Sequence, residues 1–306
     1  MGALRDFKAL FTRHGTGVGI FVVVAITLWV FVLIVLPQLA MVDMSFSHNL
    51  PPADQGGPRD VYTLSNYGYF VQGNDGSFNS LHVTILVKTV VASVIVTFLD
   101  LILCYPIAYV LAHGASKSTA RLMMIGLIVP FWVNEVLRAF AFRILFGATG
   151  LVNGLGLSLG LWDQPVDFIR EDVALYAGLT YAYILLMIFP IYNAVEALDR
   201  NQIEAARDMG ASWWRVHWRI VIPMAKPGIA SGTTMVFMLT TGALAAPQIL
   251  GGPSNLWFTQ LVYQWFNDAG NWPRGSAYAV ILVAVSILFT LLMMRVFKVG
   301  IGAIGR

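Results

Sequence analysis

Apolar residues gather along the chain in six blocks instead of alternating with polar ones. The first runs from Gly17 to Val42 without a charge. The others cover Ser80 to Ala112, Leu122 to Phe146, Val173 to Val195, Met224 to Leu250 and Ser276 to Phe297. A helix rising ~1.5 Å per residue crosses a ~30 Å hydrocarbon layer within any of them, with length left for tilt. Barrel strands would be only ~9–11 residues long, and a helix satisfies its own backbone groups in lipid. A signal-peptide core is only ~7–15 residues long, so the first block reads as a retained span. The pattern predicts an all-α integral membrane protein with six transmembrane helices.

Composition agrees. Apolar residues make up 58% of the 306 positions before 28 Gly are counted, and charged residues 11%. A soluble domain carries ~25% charged residues, and so few polar groups could not cover the apolar surface. A soluble enzyme, a disordered chain and a disulfide scaffold are excluded, the last because Cys104 stands alone. The net charge of +3 is too small to point to nucleic acid.

The placement of charge says more than its sum. The N-terminus, the links near 113–121 and 196–226 and the C-terminus hold 13 of the 19 basic residues, including Arg5, Lys8, Arg13, Arg200, Arg207, Arg215 and Arg306. The other connectors hold Arg59, Arg170 and Arg274 and nine acids, among them Asp75 and Asp163. The positive-inside rule places the first set, and both termini, in the cytoplasm. Residues 1–16 and 298–306 then read as cytoplasmic ends of one transmembrane unit, 17–297.

Lys88, Asp100, Glu135 and Arg138 lie within the blocks. A charge facing lipid at the bilayer centre costs roughly 2.5–3.5 kcal/mol, so these groups should face the bundle interior, a partner or water. Glu135 and Arg138 are spaced i, i+3 and can meet on one helix face. That fits a structural ion pair, or a polar lining in which Glu135 and Asp100 attract a cation. Lys88 can snorkel to the far interface. Tyr105, Tyr109, Phe131 and Trp132 fit helix packing, or an aromatic lining for an ammonium group. Thr240, Thr241 and Gly242 fit close helix packing, or a gate, and Pro247 fits a kink.

The link 199–223 is amphipathic. Ile203, Ala206 and Met209 share a stripe, and Glu204, Arg207 and Asp208 supply charge. Gly210 suits a left-handed helix end, Ser212 an N-cap, and Pro223 the end of the second piece. Trp213, Trp214 and Trp218 suit a membrane interface. By itself this is a hairpin that joins two spans.

The run Glu204-Ala205-Ala206, then Gly210, then Ile222-Pro223 resembles the EAA loop of ABC importer permeases. The resemblance implies a type I permease fold and a coupling helix, between helices 4 and 5, that docks on an ATPase subunit. Glu204, Ala205, Ala206, Arg207, Asp208, Gly210 and Arg215 fall in that helix and its turn. Tyr105-Pro106-Ile107-Ala108-Tyr109, Pro130-Phe131-Trp132 with Arg138, Gly150-Leu151-Val152-Asn153, Leu250-Gly251-Gly252-Pro253 and Asn271-Trp272-Pro273 resemble stretches of spermidine/putrescine-type permeases. Glu135 departs from that pattern, which has a small or polar residue there. The resemblance implies import of a polyamine, another organic cation or an amino-acid derivative across a bacterial inner membrane. It implies a pair of ATPase subunits that bind ATP and Mg, a second and different permease chain, and an extracytoplasmic binding protein. Asp100, Tyr105, Trp132, Glu135, Arg138 and Thr240 are the candidate path residues.

The chain has no GxxxxGK[ST] loop to cradle phosphate, no HExxH or paired Cys/His spacing for a metal and no GxSxG elbow. No cofactor is expected on this chain. Two other readings stay open from the residues: an intramembrane enzyme using Glu135 or Asp100, and a membrane sensor that holds a cytoplasmic partner without transport.

Overall fold

The computed structural model describes residues 15–54, 56–73, 76–252 and 255–300. Arg5, Lys8, Arg13, Asp75, Pro253 and Arg306 lie outside the described residues. The described chain forms twelve helices: α1 (Thr16–Ser45), α2 (Ser65–Val71), α3 (Ser80–Gly114), α4 (Lys117–Phe131), α5 (Glu135–Leu145), α6 (Leu151–Ser158), α7 (Val173–Glu196), α8 (Arg200–Asp208), α9 (Trp213–Thr241), α10 (Ala245–Leu250), α11 (Phe258–Asn267) and α12 (Trp272–Phe297). A single 3₁₀ turn, Pro52–Asp54, lies between α1 and α2.

Five of these helices are long and apolar enough to cross a membrane: α1, α3, α7, α9 and α12. The third block differs from its prediction as one straight span. It is a bent pair, α4 and α5, meeting at 91°. Pro130 lies in the last turn of α4, and the Asn134 side chain then accepts the Val136 N–H at 2.8 Å and starts α5. Averaged hydropathy hid this break, since it is blind to a cap.

The fifth block is also shifted. Its helix starts at Trp213 and ends at Thr241, and α10 follows as a separate piece containing Pro247. Pro223 does not end the helix. A wide turn over His217–Val221 lets the Ile222 N–H reach His217 O, and Pro223 then falls in the first turn of the resumed α-helix, where no donor is needed.

The core is α3, α7 and α9. Helices α3 and α7 run parallel: Cys104 Sγ meets Ile184 O at 3.4 Å and His113 Nε2 meets Val195 O at 3.0 Å. Helix α9 runs against α7 in close contact. A Cβ added at Gly228 would lie 2.2 Å from Pro190 O, and one at Gly232 2.8 Å from Met187 Sδ. Such small residues let backbones approach where dispersion must supply the attraction. Helix α1 packs the half near Ser45 against α12, while its other half is exposed, as at Phe21 and Trp29. The end of the bundle that carries α8 is termed the coupling end, and the opposite one the far end.

Candidate coupling loop and path residues

Helix α8 starts where the Asp199 side chain accepts the Asn201 N–H at 3.0 Å. Ile203 and Ala206 are buried against the bundle, and Glu204, Ala205, Arg207 and Asp208 are exposed. The helix stops in a Schellman pattern: Ala211 N–H donates to Ala206 O at 3.0 Å and Gly210 N–H to Arg207 O at 2.8 Å. Gly210 has φ 79°, which a side chain rarely adopts. Ser212 precedes α9 with an extended backbone but makes no side-chain cap. Arg215 lies in the first turn of α9, between the exposed Trp214 and the buried Val216.

Three contacts tie this loop to the core. His217 is buried, and its Nδ1 lies 2.6 Å from Tyr105 Oη. Its ring also stands 4.4 Å from the Tyr109 ring and, within the start of α9 itself, 3.9 Å from Trp213. Arg200 Nη2 donates to Ala112 O at 3.1 Å. The two tyrosines of the Tyr105–Tyr109 stretch therefore hold the start of α9. Phe131 and Trp132 lie elsewhere, at the elbow of α4 and α5, so the four aromatics do not form one lining. No sequence signal singled out His217. The i, i+4 spacing of Tyr105 and Tyr109 opposite a lone His in the link was the available clue.

The elbow sets Glu135 and Arg138, in the first turn of α5, against α7. Tyr183 Oη donates to Glu135 Oε1 at 3.5 Å, and Arg138 Nη1 donates to Ala182 O at 3.5 Å. The Arg138 guanidinium also stands over Phe131 at 5.1 Å and Tyr181 at 5.8 Å. Glu135 and Arg138 thus bond to neighbours on α7 instead of to each other. Trp132 is 85% exposed and projects away from its own chain. Asp100 is fully buried on α3, and neither oxygen has a hydrogen-bond partner among the described residues. Thr240 is fully buried on α9 with its hydroxyl likewise unpartnered. The candidate path residues therefore divide into a core pair (Asp100, Thr240), an elbow set (Trp132, Glu135, Arg138) and Tyr105 beside the loop.

At the far end, Lys88 lines a cavity of about 360 Å3 with Asp172 and Trp257. Asp172 heads α7 with φ 59° and accepts a hydrogen bond from Asn255 Nδ2. Burial pushes its carboxyl above the usual value, while the Gly252 N–H and the Lys88 ammonium pull it back.

A bundle of long apolar helices, with one exposed amphipathic helix held to its core by buried ties, is the architecture of an integral membrane protein. Residues 76–299 match the family of binding-protein-dependent transport system inner membrane components, and the chain belongs to that family. It is 32% identical over 274 residues to the spermidine/putrescine transport system permease protein PotB of Salmonella typhimurium, covering 90% of this chain and 92% of that one. It is 27% identical over 226 residues to the inner membrane ABC transporter permease protein YdcU of Escherichia coli K12, covering 69% and 72%. A bacterial alginate ABC transporter, solved in complex with alginate pentasaccharide-bound periplasmic protein, superposes with TM-score 0.73 at 15% identity over 97% of this chain and 99% of that one. The inward-facing MetNI methionine ABC transporter gives 0.51 at 19% identity over 71% and 96%. At these identities the structural likeness is one of fold. The protein is a multi-pass inner-membrane permease subunit of a bacterial ABC importer, of type I fold, and a transport subunit instead of an enzyme.

Proposed function

We propose that the chain forms half of the path for a small organic solute and passes the stroke of a separate ATPase dimer to it through α8. ATP and Mg belong to that ATPase. Residues 17–297 act as one permease unit with 199–223 as its coupling segment, both termini are cytoplasmic, and a similar but different second permease chain completes the path. An extracytoplasmic binding protein delivers the solute. The solute class is polyamine, or a related organic cation or amino-acid derivative, which the relation to a spermidine/putrescine permease favours.

The observation that carries this reading is the way α8 is mounted. Its exposed face, Glu204, Ala205, Arg207 and Asp208, is free of its own chain, while Ile203, Ala206 and the His217–Tyr105 contact fix it to the core. A push on that face moves the ends of α3 and α9 together. Glu204→Arg reverses the charge offered to the ATPase, and Gly210→Pro removes both the φ of 79° and the N–H donor of the turn. Each is expected to abolish ATP-driven uptake while the membrane level is retained. Uptake at the wild-type rate in both variants would remove the coupling role from this loop.

A further inference from the structure

The far-end cavity contains polar groups that the rest of the fold leaves unused. Thr89 is engaged there: its hydroxyl donates to Ile85 O at 2.9 Å and accepts the Phe258 N–H at 2.9 Å. One Asp172 oxygen accepts from Asn255. The other, Oδ1, makes no hydrogen bond of ordinary geometry, although the Gly252 N–H acts on the carboxyl, and the indole Nε1 of Trp257, a residue only 5% exposed, is buried without a partner. Lys88 lies close enough to act on the Asp172 carboxyl, yet it forms no ion pair among the described residues. A buried donor or acceptor left unmade costs about 1–3 kcal/mol. Asp172 sits in the left-handed conformation that Asp adopts more readily than most side chains. Lys88, Asp172 and Trp257 thus line one cavity, and the cation, the N–H donor and the carboxylate oxygen they bring have no common partner.

We propose that this cavity binds a small zwitterion, with its carboxylate on the Lys88 ammonium and the Trp257 indole N–H, and its ammonium group on Asp172 Oδ1. A dication would meet Lys88, and a simple anion would meet Asp172. Only a ligand carrying both charges satisfies all three groups. The volume of about 360 Å3 suits a molecule of a few carbons. The proposal rests on the importer reading and narrows it, because among the solute classes named there it selects the amino-acid derivative over the polyamine at the far mouth of the path.

The test uses the permease–ATPase complex in nanodiscs without its binding protein. Three radiolabelled four-carbon probes differ only in charge pattern: 4-aminobutyrate, putrescine and butyrate. Saturable binding of 4-aminobutyrate alone is expected. Trp257→Phe keeps an aromatic ring and deletes the N–H, and should weaken that binding about tenfold. Lys88→Met and Asp172→Asn should each weaken it at least as much, with co-elution of permease and ATPase in size-exclusion chromatography as the check on assembly. Putrescine binding that strengthens in Lys88→Met would make this a cation site and overturn the proposal. Absence of saturable binding by any probe would reduce Lys88 and Asp172 to an internal charge pair, and would also overturn it. ATP-driven solute uptake by the complete importer is read separately, so its loss would implicate the importer reading instead of the cavity.

Discussion

Tyr105 shows how a single hydroxyl can matter to a moving part. Its sequence context suggested packing or an aromatic lining, and neither reading involved the coupling loop. In the fold its oxygen lies 2.6 Å from His217 Nδ1, and the other ring nitrogen of His217 is already buried without a partner. Deleting the hydroxyl leaves a buried imidazole with neither nitrogen bonded, at a cost of about 1–3 kcal/mol. Tyr105→Phe is therefore expected to cut uptake, and the stimulation of ATPase activity by loaded binding protein, about fivefold or more. Basal ATPase activity should be unchanged. Stimulation equal to wild type would show that the ring contacts alone hold the joint. Gly210 was legible as a turn because its requirement is local. His217 was not, since its partner lies 112 residues away.

At the level of elements, the six blocks could be read directly because a helix in lipid needs little beyond length and apolar content. Their ends and breaks depend on single residues that a hydropathy average dilutes. Asn134 capping α5 and the wide turn before Pro223 are such cases. The α7–α9 seam was half legible: Gly228 and Gly232 form a G-x-x-x-G pair, the motif of close helix packing, but nothing in the chain says which helix it meets. At Gly228 a methyl would meet the Pro190 carbonyl oxygen and Ala194 Cβ, neither of which can swing aside. Gly228→Ala should lower stability in detergent by about 1–3 kcal/mol, the range for overpacking. Gly126→Ala, where nothing lies within 4 Å, should raise or hold it. Equal denaturation midpoints for both variants would mean that the seam opens easily.

Across the whole molecule, the charge asymmetry predicts which side faces the cytoplasm, and the fold supplies a clean way to check it. Cys104 is the sole cysteine and is fully buried, so the native chain offers no background to a thiol reagent. Met209, 83% exposed beside the coupling loop, and Ala269, exposed between α11 and α12, lie on opposite ends. Ala269→Cys should label with a membrane-impermeant maleimide in intact cells, and Met209→Cys only after permeabilisation. The reverse pattern would invert the topology. The membrane class and the short amphipathic helix with its turn at Gly210 were legible in the chain, because both follow from local pattern. The sorting of Asp100, Glu135 and Lys88 into core, elbow and far cavity was not, because it depends on which helices become neighbours.

Helix α3 runs 35 residues without a break in helical structure, about 50 Å at the usual rise. Tyr105 and Tyr109 grip the loop near one tip, while Lys88 and Thr89 sit near the other. A stiff rod fastened at both places cannot shift at one without tilting at the other. Occupancy of the distal hollow and the nucleotide state of the motor should therefore sense each other by leverage, with no relay of small rearrangements through the protein between them.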